Sequence, residues 1–511
     1  MTRRSFVRSM AAAGALLSMP QFLKRSGVKA AHDLSQPTPA QPFLDWFGVD
    51  RSLIERVLRE LGSGGADTAE LYFQHQRLNA VILEDGIISR ASSHIQQGVG
   101  LRSVVGDQTG YAFTEDISLP SMLAAAQTAA AIAGQTRAVA PIALNDTHLG
   151  DLYRVQVPWS EVGIGHKLPL LRQVEALAKA ADPAVEKVRI YWVDADERVM
   201  IARLDGSIVS DHRPMTRLSL HLTARKNGQV QTGGTNIAAR QDLGWYTQER
   251  LRQLVSDAVG RTLILFEAGH PPAGELPVVL AAGASGILLH EAVGHGLEAD
   301  FNRKGVSIYS DMLGQQVAAP FVTVVDQASL PHERGALNYD DEGHPCGRTV
   351  LVENGILNAY LHDAISARHY KTPPTGSGRR QSYKHAPLPR MTCTFMENGP
   401  HSREEIIRAV KRGIIAETYA NGQVRIGAGD FTFFIKNGWL IENGTITAPI
   451  KDCNIIGNGP EALTRISMVA NDGRLDTGGW TCGKDGQSVP VSQGMPTVLV
   501  SSLTVGGVNA G

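Results

Sequence analysis

The chain has 511 residues, 43% of them hydrophobic and 19% charged, with 49 Lys+Arg against 50 Asp+Glu. That is enough for two or three domains, each with its own core. The near-neutral balance, without a basic block in the body of the chain, excludes the electrostatic footprint of a nucleic-acid binder. No segment reaches the roughly 20 apolar residues of a membrane helix, so no stable membrane insertion is expected. The 53 glycines and 6% aromatics favour turns and close backbone approaches over helical bundles.

Residues 1–31 read as a signal peptide. Arg3, Arg4 and Arg8 precede a short apolar run, Ala11 to Met19, and Val28-Lys29-Ala30 offers a small-residue cleavage site. Thr2-Arg3-Arg4-Ser5-Phe6 resembles a twin-arginine export signal, so a periplasmic or extracellular protein is expected. Its removal takes away six basic residues and no acid, leaving a net charge of −7. The four cysteines, Cys346, Cys393, Cys453 and Cys482, are too few for a disulfide scaffold; the twin-arginine route carries folded proteins, so a thiolate already bound to metal would be protected.

Residues 32–48 read as a linker, with His32 to Pro42 polar and Pro-rich. Residues 49–155 read as an α+β domain. Its helices are expected near Leu53–Leu61 and Ser121–Ala133. Its strands are expected at Ala69–His75, Ala80–Leu83, Ile87–Arg90 across an Asp85-Gly86 turn, Val99–Val105 and Tyr111–Thr114. A second α+β domain, 156–270, carries helices at Leu168–Ala181 and Gln248–Glu267. Between them lie strands at Val188–Asp194, Arg198–Leu204 and Leu218–Arg225, with turns at Asp205-Gly206 and Asn227-Gly228. Residues 271–511 open with a strand, Leu276–Leu280, and a small-residue loop. Hairpin signals follow at Asn354-Gly355, Asn437-Gly438 and Asn443-Gly444, so this domain is expected to be largely antiparallel β. The fold class is α+β.

The chemistry sits in LLHEAVGHGLEAD, Leu288 to Asp300. It is the helical zinc motif H-E-x-x-H with one residue too many. Residues five apart diverge by about 140° on a regular helix. A one-residue π-bulge brings His290 and His295 back to one face, and Gly294 lies where the regular helix is weakest. Two neutral imidazoles would be metal ligands, and Glu291 would act as general base on a water acidified by the metal. A catalytic zinc needs a third protein ligand. Spacing leaves Glu298 and Asp300 open, with Cys482 as the distant rival in GGWTCGKDGQ. Arg379 and Arg380 are candidates for a peptide carboxylate or a developing oxyanion, weighed against pairing with Asp340, Asp341 or Glu342; His385 and Tyr383 are candidate oxyanion donors.

Five blocks in order carry a resemblance: HEAVGHGLEADFNRKG, LNYDDEGHP, GSGRRQSYKHAPLPRMT, GNGPEAL and CGKDGQSVPV with the closing LTVGG. Together they resemble the TldD/PmbA family of metallopeptidases, and the chain is similar to its catalytic TldD type because His290, Glu291 and His295 are all present. The resemblance implies one zinc per chain held by His290, His295 and Cys482, with Glu291 as base. It also implies a C-terminal catalytic domain, peptide substrates that are small or unfolded, and a homodimer or a heterodimer with a PmbA-like chain. Cys393 stands where the family pattern has Asn. A different class of reading is a non-catalytic peptide-binding or regulatory subunit with a structural zinc; a third is a zinc amidohydrolase of small molecules.

Overall fold

The computed structural model describes residues 40–131, 142–147 and 150–507. The signal peptide and most of the linker lie outside them. The end of the linker does not: Gln41–Phe47 is a helix that buries Phe43, Leu44 and Phe47. Their spacing is that of one helical face, and Pro42 sits in the first turn, where its missing N–H loses no bond.

The first two α+β units share one sheet. In spatial order its strands are Gln108–Thr114, Ile87–Val105, Thr68–Glu84, Val185–Arg203 and Ser207–Lys226. Gln229–Ala239 and the short Asn145–Asp146 both pair with the last of these. The junction is an uninterrupted antiparallel ladder from Glu70↔Arg203 to Glu84↔Arg189. What reads as separate short strands is long ribbons turning at Asp85-Gly86 and Asn227-Gly228, where positive φ suits Asn, Asp and Gly.

Alternation along Thr68–Glu84 then assigns two faces. Leu71 and Phe73 pack with helices Gln41–Phe47, Arg51–Gly62 and Leu119–Ala130. Val81 and Leu83, on the same face, pack with helices Ile164–Ala181 and Gln248–Leu263. Tyr72 points the other way, into a cluster with Val199, Ile201, Val209, Tyr339 and Tyr383. The last two come from the C-terminal region, so this face is the seat on which it rests.

Among the described residues, that C-terminal region contains a two-stranded sheet, Gly378–Arg379 with Leu388–Pro389, and two further large sheets. In one, Thr445–Asn458, Asp430–Glu442, Arg412–Arg425, Gly274–Leu280 and Val498–Gly507 are neighbours in that order, and the first also pairs with the last, closing a ring. In the other, Val324–Gln327 and Cys393–Met396 lead to Gln487–Met495, which also pairs with Trp480–Lys484. Antiparallel pairing dominates, as expected. Asn443-Gly444 turns a hairpin, but Asn437-Gly438 does not: both lie inside the strand Asp430–Glu442. Gly438 is there for contact, since a Cβ would collide with the carbonyl oxygen of Ile415.

Candidate metal centre

The strand Gly274–Leu280 delivers the chain to Gly283, whose φ of 90° reverses it. Gly286 then passes so close to strand Gln487–Met495 that a Cβ would lie 2.7 Å from Gly494 Cα. The HEAVGH segment follows directly. Leu289–Gly294 is a π-helical turn and His295–Leu297 a 3₁₀ turn. Leu288, Leu289, Val293 and Leu297 sink into the core of the C-terminal region, anchoring the wide turn from beneath. Its carbonyls find partners from outside: Tyr309 Oη donates to Ala292 O at 3.2 Å, Ser307 Oγ to Gly296 O at 2.6 Å and Asn302 Nδ2 to Gly296 O at 2.8 Å.

The extra residue is thus absorbed by an i→i+5 turn, and the His290 and His295 ring centroids come within 5.0 Å. Gly294 serves a different purpose from the one its backbone freedom suggests. Its φ of −58° and ψ of −51° are ordinary, but a Cβ there would strike the Met391 side chain. A Cβ on Gly296 would meet the Tyr309 ring at 2.6 Å.

Cys482 arrives from the other side, on strand Trp480–Lys484. Among the described residues, ligand atoms of His290, His295 and Cys482 all lie within 4.8 Å of one another. Cys482 Sγ is 3.4 Å from His295 Nε2. Zinc–nitrogen and zinc–sulfur bonds of about 2.1 and 2.3 Å at a tetrahedral angle would separate the two donors by about 3.5 Å. Burial alone would raise the Cys482 thiol, but the two imidazoles hold it well below its ordinary range. A buried thiolate facing two imidazoles is a soft donor set that zinc fits.

Glu298 is close but serves another role. Its Oε2 lies 3.0 Å from His295 Nδ1. A carboxylate can only accept, so Nδ1 carries the proton and Nε2 is left for the cluster. Burial would raise the Glu298 carboxyl, but Lys484 and His295 bring it down to about 2. Lys484 Nζ bonds Glu298 Oε2 at 3.0 Å and Asp300 Oδ1 at 2.7 Å, so Asp300 is also engaged away from the ligand atoms. Arg390 closes the shell, with Nε 3.9 Å from Glu298 and Nη2 donating to Cys482 O at 2.6 Å. Lys484 and Arg390 escape motif reading. The available signal is the strand period: Lys484 is two residues from Cys482 and so shares its face.

Glu291 differs from its neighbours. It is half-buried, and its carboxylate makes no hydrogen bond or ion pair with the described residues. His290 Nδ1 is buried and also lacks a partner.

The residues expected to contact substrate bond to groups of the protein itself. Arg379 gives Nη1 to Met391 O and Nη2 to Pro490 O, the latter at 2.7 Å. Arg380 bonds Glu70 Oε1 at 3.0 Å and Asp341 O at 2.7 Å, and its backbone N–H reaches Asp341 Oδ2 at 2.8 Å. Both side chains are buried; Arg380 meets Asp341, the pairing weighed against peptide binding, whereas Arg379 meets backbone carbonyls rather than Asp340, Asp341 or Glu342. His385 Nδ1 is 3.0 Å from Ser382 Oγ, and Tyr383 Oη donates to Glu115 at 3.2 Å. Cys393 is fully buried in strand register with Ser492, and burial pushes its thiol well up.

Models of the PmbA/TldA metallopeptidase domains match residues 69–133 (domain 1), 157–266 (central domain) and 273–507 (C-terminal domain). The chain belongs to this PmbA/TldD family. A metalloprotease TldD homologue of Haemophilus influenzae is 41% identical over 450 residues, covering 87% of this chain and 93% of its own. A zinc metalloprotease TldD homologue of Saccharolobus solfataricus is 31% identical, covering 67% of this chain and 76% of its own. The crystal structure of TldE from Thermococcus kodakarensis shares the fold, with a TM-score of 0.71 at 20% identity, over 89% of this chain and 100% of that one. Both relatives are named metalloproteases, and the first of them aligns over 87% of this chain.

Proposed function

We propose that this TldD-like chain is a zinc peptidase in which His290, His295 and Cys482 hold one metal ion and Glu291 is the general base. The observation that carries the reading is the π turn, which brings two imidazoles to a buried thiolate and leaves Glu291 beside them without a partner. Zinc bound there supplies Lewis acidity for a scissile carbonyl and lowers the pKa of a water to about 7. Glu291 takes the proton from that water and delivers it to the leaving amine nitrogen. Glu298 fixes the His295 tautomer, and Lys484 with Arg390 keeps Glu298 charged.

Strand Trp480–Lys484 pairs on one side only among the described residues, with Gln487–Met495. Its free edge suits an extended peptide held by backbone hydrogen bonds. Unfolded or small peptides are therefore the proposed substrates. Assembly as a homodimer, or with a PmbA-like chain, and action outside the cytoplasm complete the proposal. A purely structural zinc is disfavoured by the donor count, since structural sites close with four protein ligands and three converge here.

The test is cleavage of an unstructured peptide, followed by mass spectrometry, with wild type beside Glu291→Gln. Wild type is expected to cut, and Glu291→Gln to be slower by roughly 10²–10⁴-fold. Equal rates would remove Glu291 from the chemistry.

A further inference from the structure

Three arginines next to the Trp480–Lys484 strand form no ion pair with a carboxylate among the described residues. Arg217 comes from strand Ser207–Lys226, Arg240 follows strand Gln229–Ala239, and Arg334 comes from the segment before Tyr339. The loop leading to Trp480 is tied to them. Ala238 N donates to Thr477 O at 2.9 Å and Gly479 N to Asn236 Oδ1 at 2.6 Å. A Cβ on Gly479 would lie 2.8 Å from Arg217 Cδ. Arg334 Nε donates to Trp480 O at 3.0 Å, and its Nη2 lies 3.4 Å from Thr481 Oγ1. The group therefore adjoins the two residues before Cys482.

Its charges are only partly compensated: Glu197 lies within electrostatic reach of Arg240, whose Nη1 is 3.5 Å from Pro214 O, and none of the three forms an ion pair among the described residues. The Nε–H groups of Arg217 and Arg240 are buried with no hydrogen-bond partner. Arg240 is 2% exposed and stacks on Tyr153, with its guanidinium 4.9 Å from the ring centroid. Burial, together with the charges of Arg217, Arg240 and Arg379, pushes Arg334 down to about 9. The nearby acids are engaged elsewhere: Glu333 accepts from Ser492 Oγ at 3.1 Å, and Asp476 accepts from Trp480 Nε1. Buried cations held together without a paired counter-charge are unfavourable unless an anion completes them, and the guanidinium fork fits a carboxylate.

We propose that Arg217, Arg240 and Arg334 form a carboxylate-binding subsite for the peptide lying along the Trp480–Lys484 edge. It takes either the peptide's terminal α-carboxylate or an Asp/Glu side chain. Arg217 and Arg334, both half-buried, meet the anion, and Arg240 supports them from below. This makes the peptidase selective for the position of a negative charge relative to the scissile bond. The assignment rests on the peptidase reading, and binding tests it without turnover.

The experiment titrates three unlabelled, N-acetylated Gly/Ser/Ala peptides into the full Glu291→Gln chain by calorimetry: a free acid, its C-terminal amide, and an amide with one internal Glu. At least one carboxylate-bearing peptide is expected to bind tenfold or more tightly than the neutral amide, and which one identifies the source. Arg217→Met and Arg334→Met should each erase that preference while leaving amide binding unchanged, and Arg334→Lys should restore part of it. Equal affinity for all three peptides, including no binding of any, overturns the assignment without needing a variant to fold. A preference that persists in both folded Met variants also overturns it. Failure of catalysis itself would show separately, as absence of cleavage by wild type.

Discussion

Two buried polar regions of this molecule use similar residues to opposite ends. Where the N-terminal sheet meets the C-terminal region, Arg102 bonds Glu70 at 3.1 Å and Glu342 at 2.5 Å. Arg213 bonds Asp211 at 2.8 Å and Asp341 at 2.6 Å, and Arg380 adds Glu70 at 3.0 Å. Glu342 Oε2 also accepts from Ala364 N at 2.7 Å. Every carboxylate of this network is paired, while Arg102 Nη2 and Arg380 Nε are buried with no partner among the described residues. Around the π turn Glu298 is anchored through Oε2 alone, and the inner atoms are a thiolate, His290 Nδ1 and Glu291, the last two without a partner among the described residues. Burial of charge is common to both, so it does not mark function. Unpaired atoms are common to both as well; what sets the π turn apart is that a thiolate and two imidazoles converge beside an unpaired carboxylate.

The largest effect that would sharpen this contrast comes from the first network. Arg102→Met strands Glu70 and Glu342 and should destabilise the fold by about 3–5 kcal/mol in a denaturant melt. Zinc per folded chain should stay at the wild-type value; a loss of zinc without loss of stability would erase the distinction between the regions. Next is Glu298→Gln, which keeps the shape but removes the charge behind His295. Zinc affinity, read by chelator competition, should fall by about 10–100-fold with little change in the melt. Unchanged affinity would show that Glu298 does not set the ligand.

The smallest effect is a slope. Burial, then the neighbouring Glu342 charge, raises the Asp363 carboxyl to about 6. The folded state therefore holds this proton more tightly than the unfolded chain, where the group titrates near 4. Its contribution to stability is fully present below about pH 4 and is lost as pH rises to about 6. Asp363→Asn should flatten that part of the stability profile, whereas an unaltered slope would place the titration elsewhere.

Much of this was legible in the residues. The one-residue surplus in H-E-x-x-x-H dictates an i→i+5 turn if both histidines are to meet, and that turn is what forms. The class of the fold follows from alternating runs and Asp-Gly or Asn-Gly turns. Local patterns hid the rest. Nothing within Thr68–Glu84 announces that it pairs with Val185–Arg203, because register between distant strands is fixed by the cores on both sides. Asn437-Gly438 has the composition of a turn but the role of a close contact. Gly294 has the composition of a weak helix but makes room for Met391. Arg379 and Arg380 looked available for a peptide because a sequence shows charge and not what already pairs with it. The same blindness hid Arg217, Arg240 and Arg334, which come from distant segments and form no ion pair among the described residues.

The measurement that bears most directly on the metal centre is the zinc-to-chain ratio of purified wild type, Glu291→Gln and Cys482→Ser, by elemental analysis alongside a thermal melt. One zinc per chain in wild type and Glu291→Gln, with at least a tenfold lower ratio in folded Cys482→Ser, is the expected result. Full zinc retention by folded Cys482→Ser would contradict the three-ligand centre and put the metal on other residues.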